Sequence, residues 1–162
     1  MNIIDVINKK RLNKELSYEE LDYAFTGYLN NEHEDYQMSS LLMAIVINGM
    51  SLKETIDLTD IFIKSGEIYD LSSVGDIIVD KHSTGGIGDT TTLVAGPIVA
   101  ACGVKMAKIS GRGLGITGGT IDKLESIPKF NVNLTKKQFI EGLKKVGFID
   151  CSQNLKLVPL DK

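Results

Sequence analysis

Two glycine-rich loops, each directly after a short apolar segment, restrict the fold of this chain more than any other feature of its sequence. The first loop covers residues 80–89 and follows the apolar segment 77–79, and the second covers residues 110–120 and follows the segment 104–109. Ten of the sixteen glycines lie between residues 85 and 119. A buried strand that ends in a glycine loop and leads into a helix, repeated along the chain, is typical of a parallel α/β sheet with ligands at the carboxyl ends of its strands.

The same pattern predicts the other elements after residue 70. We expect a helix over 90–101, another over 119–126, and a third over 136–146 that begins with a capping box formed by Thr135 and Gln138. An apolar strand starts at Phe148. This gives about three strands, whereas sheets usually contain about five or six. The segment therefore reads as the front portion of a larger α/β domain.

The first 65 residues have the apolar periodicity and the capping residues of successive helices. No residue there stands out as chemically active, and His33, in a polar run, is expected to be a solvated loop residue. The helix boundaries are indicated by a Ser17–Glu20 capping box, by Asp35 as the cap of the third helix, by Gly49 as its end, and by a fourth helix from Ser51 and Glu54 to Gly66.

The predicted fold class is therefore α + α/β, a small all-α helical domain followed by the first strands and helices of a parallel-sheet domain. We expect the helical domain over residues 1–65, a hinge and the first strand over 66–79, and a partial α/β phosphate-binding domain over 80–152. Residues 153–162 are expected to begin a return to the helical domain.

Composition excludes several classes of function. The net charge of −3 argues against nucleic acid as a partner, because a protein that binds the phosphate backbone carries a basic surface. The longest apolar stretch, 41–47, is too short to span a bilayer. The two cysteines, Cys102 and Cys151, offer neither metal spacing nor a disulfide framework and are expected to be reduced core thiols. A soluble protein of the cytoplasm fits these features.

The loops themselves have the composition of an anion site. Lys81, His82 and Ser83 can hold or protonate an anion, and backbone N–H groups exposed by glycine turns and a helix N-terminus add further donors. Hydroxyl side chains follow in both loops, although any one of them could instead be a helix cap or a turn former. Two such loops in one short region indicate a phosphate held between them.

Two other nucleotide-binding motifs fit less well. A P-loop requires Gly-Lys-Ser/Thr, whereas residues 88–90 are Gly-Asp-Thr. Residues 113–118 match GxGxxG, but that fingerprint also requires an acidic residue about twenty positions later. No Asp or Glu lies between Glu125 and Glu141, which disfavours nicotinamide binding.

The two loops together are similar to a known family. Residues 81–89 (Lys-His-Ser-Thr-Gly-Gly-Ile-Gly-Asp), residues 110–115 (Ser-Gly-Arg-Gly-Leu-Gly) and residues 117–126 resemble the thymidine and pyrimidine-nucleoside phosphorylase family. The resemblance covers essentially the whole chain. It implies a phosphorolysis in which a uridine-type or thymidine-type nucleoside and inorganic phosphate give a free base and pentose 1-phosphate.

The resemblance also implies residue roles. His82 would face the pyrimidine and assist departure of the base as proton donor or hydrogen-bond partner. Backbone oxygens of Gly88 and Thr90 match positions that hold a potassium ion in some members, although the chemistry requires no cofactor. Phosphate would be held by Lys81, Ser83, Thr92, Lys108, Ser110 and Thr120.

The family usually forms homodimers through its helical domain, so the resemblance implies a homodimer here. Two departures stand out: Ile116 occupies a position where the family typically has histidine, and the family's pyrimidine clamp belongs to a segment after residue 162. A second hypothesis is therefore a catalytically silent remnant that serves as a helical dimerisation or interaction module. A third is a phosphoribosyltransferase of related architecture, such as the anthranilate enzyme, which the unbroken run from Lys81 disfavours. The choice between uridine and thymidine stays open.

Overall fold

The computed structural model describes residues 1–82, 90–113 and 118–161. The chain divides into two compact units. A helical unit comprises Met1–Ile68 together with Asn154–Lys162, and an α/β unit comprises Tyr69–Gln153. The fold is thus a helical bundle followed by a partial α/β domain, as the sequence predicts.

Four helices build the helical unit. Helix α1 packs mainly against α3, and α2 packs mainly against α4. Leu21, Leu41 and Val6 lie in the core with almost no exposed surface, and Leu160 from the carboxyl-terminal segment joins the same cluster. The helices are α1 (Ile3–Arg11), α2 (Tyr18–Leu29), α3 (Asp35–Asn48) and α4 (Leu52–Ser65).

The helix ends follow the local capping chemistry. In the capping box of α2 the Glu20 N–H donates to Ser17 Oγ at 3.3 Å, and the Ser17 N–H donates to Glu20 Oε2 at 2.8 Å. Asp35 was the wrong cap for α3. It is the first helical residue, and Glu34 occupies the capping position, with its N–H donating to Gln37 Oε1 at 3.0 Å.

The α/β unit contains a parallel sheet in the order β1-β2-β3 among its described residues. Met106 of β2 is opposite Val79 of β1 and Phe148 of β3. The strands are β1 (Ile78–Val79), β2 (Lys105–Ser110) and β3 (Phe148–Ser152), and the helices are α5 (Thr90–Ala101), α6 (Thr120–Glu125) and α7 (Lys136–Val146).

Helices α5 and α7 cover opposite faces of this sheet. A Cβ added to Gly96 of α5 would lie 2.6 Å from the Phe148 ring, whereas one added to Gly142 of α7 would lie 2.9 Å from Ile149 Cδ1. Neighbouring residues of a strand point to opposite faces, so α5 packs on the face of Phe148 and α7 on the face of Ile149. By the same alternation and the pairing register, the α5 face carries Met106, Lys108, Ser110, Phe148, Asp150 and Ser152.

Two further predictions about single residues were wrong. His33 is buried, with its ring edge against Tyr23 and its Nε2 donating to the Tyr23 carbonyl oxygen at 3.0 Å. Cys102 is exposed just after α5, whereas Cys151 is buried as predicted. No helix within the described ranges is long and apolar enough to cross a membrane.

Candidate functional site

The first part of the site joins the end of β1 to the start of α5. Lys81 lies two residues after Val79, the last residue of β1, and its side chain reaches helix α5. The Lys81 ammonium donates to Thr92 Oγ1 at 3.2 Å. Thr92 lies in the first turn of α5 and is fully buried. One of the predicted cations and one of the predicted hydroxyls are therefore neighbours at the amino end of this helix.

The second part lies on β2. Lys108 and Ser110 are two residues apart on the same face of the strand and are both buried. The Lys108 ammonium lies 3.9 Å from Oδ1 of Asp80, which directly follows β1. Ser110 is the last residue of β2, so its hydroxyl stands at the carboxyl edge of the sheet, where ligands of parallel sheets bind.

The ends of the second glycine loop are held together by Asp122 of α6. Its Oδ2 accepts hydrogen bonds from the N–H groups of Gly113 and Gly119, each at 2.8 Å. These two bonds hold the pKa of Asp122 below its usual range. Gly119 is required here, because an added Cβ would lie 2.5 Å from the carbonyl carbon of Arg112. Asp122 was not predicted from the sequence, although an acidic residue three positions after a helix cap is typical of a capping box.

An ion-pair network on the outside of α6 supports the same loop. Arg112 donates through both Nη atoms to Glu125, at 2.6 and 2.9 Å, and also to Asp122 at 3.1 Å. Glu125 and then Asp122 raise the pKa of Arg112, so this guanidinium stays charged. The network is exposed, and its contribution is to orient the loop rather than to stabilise the fold strongly.

Some of the other predicted site residues are described by the structure, and the rest lie outside the described residues. Thr120 is the first residue of α6 and is buried. His82 is exposed one position after Lys81, and Thr90 is the exposed first residue of α5. Ser83, Gly88 and Ile116 lie outside the described residues.

Sequence reasoning also missed Asp150, a buried acid directly opposite Lys108 in the pairing of β2 with β3. Burial raises the pKa of Asp150, and the nearby Ser110 hydroxyl and Lys108 ammonium oppose that rise without cancelling it. The available signal was an acidic residue within an otherwise apolar strand. That Asp150 lies beside Lys108 becomes visible only once the register of β2 with β3 is known.

This arrangement suits a small oxyanion. Two ammonium groups, the hydroxyls of Thr92 and Ser110 and the amino end of α5 lie towards one edge of the sheet, and cations, hydroxyl groups and helix N–H groups are what binds a phosphate. No cluster of three or more His, Cys, Asp or Glu side chains able to hold a metal occurs in the described part of the chain.

Comparison with protein families matches both units. Residues 4–66 match the helical bundle domain of a glycosyl transferase family, and residues 75–162 match the a/b domain of a glycosyl transferase family.

Curated relatives match over all 162 residues. The chain is 51% identical to a pyrimidine-nucleoside phosphorylase of Geobacillus stearothermophilus, 52% identical to one of Staphylococcus epidermidis and 51% identical to one of Bacillus subtilis. It spans 37% of the length of each of these relatives.

A solved structure shares the fold. The crystal structure of anthranilate phosphoribosyltransferase from Thermus thermophilus superposes with a TM-score of 0.65 over 96% of this chain and 47% of that one. The sequence identity is 20%, so this likeness concerns the fold alone.

Proposed function

Because this chain belongs to the glycosyl transferase family with a helical bundle domain and an a/b domain, we propose that it forms the phosphate-binding part of a pyrimidine-nucleoside phosphorylase. The relatives at 51–52% identity support this choice of substrate class. The observation that carries it is the convergence of the Lys81–Thr92 pair with Lys108 and Ser110 on one face of the sheet. Phosphate is the co-substrate that these groups match, because its negative charge pairs with ammonium groups and its oxygens take part in hydrogen bonds with hydroxyls.

In the proposed reaction an oxygen of phosphate attacks the anomeric carbon of the nucleoside while the bond from that carbon to the pyrimidine nitrogen breaks. The electron pair of the broken bond leaves with the base, and His82 donates a proton or a hydrogen bond to that base. Positive charge develops on the sugar, and a phosphate fixed beneath it supplies both the nucleophile and the counter-charge. The products are the free pyrimidine and pentose 1-phosphate.

The proposed phosphate ligands divide between the two loops. Lys81, Ser83 and Thr92 act from the first loop and α5, and Lys108, Ser110 and Thr120 act from β2 and α6. The backbone oxygens of Gly88 and Thr90 are the proposed ligands of a structural potassium ion. The reaction is proposed for the cytoplasm, where the free thiols of Cys102 and Cys151 suit a reducing compartment.

A second candidate function is a silent interaction module that forms homodimers through the helical unit. It is supported by an apolar surface on α3, where Met43, Val46 and Ile47 are 57%, 76% and 73% exposed. Homodimer formation is also compatible with the first candidate, so dimerisation alone does not separate the two.

The first test is phosphate binding by the purified chain, measured by isothermal titration calorimetry. Lys108→Ala should weaken binding at least about tenfold, because a buried ammonium provides a charge-assisted hydrogen bond to the anion. Lys137→Ala on α7 is the matched control and should bind like the wild type, because Lys137 is 84% exposed and pairs with Glu141. Absence of phosphate binding by the wild type would contradict the proposed site.

The second test separates the two candidate functions. Uridine or thymidine is incubated with the chain with and without phosphate, and the free base is measured by liquid chromatography. Release of base that requires phosphate supports the phosphorylase. A chain that dimerises but neither binds phosphate nor releases base supports the interaction module.

A further inference from the structure

Three buried side-chain atoms lack a hydrogen-bond partner among the described residues, and they lie together. They are Ser110 Oγ and the two carboxylate oxygens of Asp150. Ser110 is 5% exposed and Asp150 is 7% exposed. Buried polar atoms without partners are rare and costly in folded proteins, so three of them in the last residues of β2 and β3 indicate a site that a ligand completes.

The strand pairing brings these atoms to one place. Lys108 and Asp150 are opposite each other on β2 and β3, and Ser110 follows Lys108 on the same face. The Ser110 hydroxyl is close enough to lower the pKa of Asp150, which burial raises. Asp150 is thus the acid that lies next to a proposed phosphate ligand.

The charged groups around Asp150 are few. Lys108 faces it from β2 and acts to keep it ionised, whereas the carboxylate of Asp80 acts in the opposite direction. Lys81 follows β1 by two residues, and its ammonium donates to Thr92 of α5. Helix α5, which covers this face, contains no ionisable side chain. Among the described residues the Lys108 ammonium pairs with Asp80 and forms no ion pair with Asp150.

A serine hydroxyl has one proton to donate and two lone pairs to accept with. When Asp150 is ionised, it can only accept, so once an anion binds, the Ser110 hydroxyl donates to Asp150 and turns its lone pairs towards the anion. When Asp150 is protonated, it donates to Ser110, and the hydroxyl proton is released to the anion. The protonation state of Asp150 therefore decides whether Ser110 presents an acceptor or a donor to the ligand.

We propose that Asp150 is a positioning residue that makes the phosphate site selective for oxyanions bearing a proton, because it turns Ser110 into a hydrogen-bond acceptor. Hydrogenphosphate and hydrogenarsenate each carry an O–H group that can donate to Ser110. Sulfate carries none at neutral pH, so it meets a lone pair where it requires a donor. The inference rests on the proposed phosphate site and adds the discrimination between tetrahedral anions of similar size.

The proposal predicts a pH dependence of sulfate binding. As the pH falls and Asp150 takes up a proton, Ser110 becomes a donor and sulfate should compete with phosphate more strongly. The raised pKa of Asp150 places this change at a higher pH than an ordinary aspartate would. The Asp150→Asn variant mimics the protonated acid, since its amide can donate to Ser110. Its sulfate binding should therefore lack the pH-dependent change that protonation of Asp150 causes.

The test measures the dissociation constants of inorganic phosphate and of sulfate for the whole 162-residue chain by calorimetry at several pH values. For Asp150→Asn at neutral pH, the preference for phosphate over sulfate should fall about tenfold or more, the effect of one charge-assisted hydrogen bond. Glu141→Gln on α7 is the control, because it also removes a carboxylate charge, but from a side chain that is 64% exposed and pairs with Lys137. Its preference for phosphate over sulfate should equal that of the wild type.

Each outcome has a distinct meaning. If Asp150→Asn binds phosphate with unchanged preference over sulfate, the inference is overturned and the proposed phosphate site stands. If the wild type binds neither anion, the proposed site fails and the inference fails with it. Asp150→Leu and circular dichroism guard against a trivial loss of fold: a folded Leu variant should also lose the preference, and retention of it would contradict the role of Asp150.

Discussion

At the scale of single residues, the Lys10 ammonium and the Glu54 carboxylate form an ion pair inside the helical unit. The two residues are 3% and 1% exposed, and the ammonium donates to both carboxylate oxygens at 2.7 and 2.8 Å. The same oxygens accept from the N–H groups of Leu16 at 2.9 Å and Ser51 at 2.7 Å. Glu54 therefore links three segments that are separate in sequence, and its buried charge is fully bonded.

Removing one partner of this pair should be costly. We expect Glu54→Gln to lower the free energy of unfolding of the helical unit by about 3 kcal/mol or more, because it leaves the Lys10 ammonium buried without a counter-charge. Chemical denaturation followed by circular dichroism measures the change. Asp60→Asn, in an exposed pair with Lys64, is the control and should leave the unfolding midpoint unchanged. An equal change in the free energy of unfolding for Glu54→Gln and Asp60→Asn would contradict the expected contribution of the buried ion pair.

The pair also gives the helical unit a dependence on acid. Burial acts to raise the pKa of Glu54, but the bonds from Leu16, Lys10 and Ser51 outweigh it and hold the pKa below the ordinary value of 4.5. A lowered folded-state pKa contributes stability that is present above the unfolded-state value and is lost as the pH falls through the folded-state value. This component of acid unfolding should disappear in Glu54→Gln.

At the scale of elements, α5 is held against the sheet at a distance that only glycine permits. The position of Gly96 leaves no room for a Cβ, which would meet three atoms of the Phe148 ring at 2.6 to 2.9 Å. Pro97 follows within the helix, and the 12-residue element still carries Thr92 in its first turn. The close packing of α5 on β3 thereby fixes the distance between Thr92, the proposed phosphate ligand on α5, and the ends of the strands.

A glycine-to-alanine pair tests this packing. In an exposed helix the exchange stabilises by about 1 kcal/mol. Gly96→Ala should instead destabilise the α/β unit by about 1–3 kcal/mol, because the ring of Phe148 must move. Gly142→Ala on α7 is the control, since its Cβ meets Cδ1 at the flexible end of Ile149 and should cost little. Thermal unfolding of both variants gives the comparison, and a stabilised Gly96→Ala would contradict the close approach.

At the scale of the whole molecule, α3 exposes several large apolar side chains, among them Met43, Val46 and Ile47. A groove between α1 and α3 is lined by Ile7, Ser39, Met43 and Ile47, and Val46 lies beside it with 76% of its surface exposed. Extended apolar surfaces of this kind mark sites of protein association. A second copy of the chain is the proposed occupant.

We expect Val46→Glu to shift the chain from dimer to monomer, because association would bury the new carboxylate without a partner. Analytical ultracentrifugation over a range of concentrations measures the dissociation constant, which should rise at least about a hundredfold. Ile63→Glu on α4 is the matched control: it is similarly apolar and 54% exposed, but α4 packs on α2 rather than on α3. A wild type that is monomeric at all concentrations would overturn the proposed homodimer.

Helix boundaries could be predicted where the capping interaction is local. Ser17 and Thr135 each bond to a residue three positions later, so the short sequence pattern contains the whole interaction. The prediction of burial failed where the surroundings of a side chain are formed by residues outside its local sequence pattern. His33 is buried because Gly27 leaves space for its ring, since a Cβ there would lie 2.4 Å from its Nε2, and no local pattern encodes that space.

The amino-acid sequence by itself determined the strand-loop-helix order, the positions of both glycine loops and the resemblance that names a phosphate site, because these depend on residues adjacent in the chain. Only the tertiary structure decided that Asp150 stands opposite Lys108 and beside Ser110, and that Lys10 meets Glu54 across the helical unit. Those partners are about forty residues apart in sequence. Strand register and helix packing bring them together, and burial then sets the free energy of their charges.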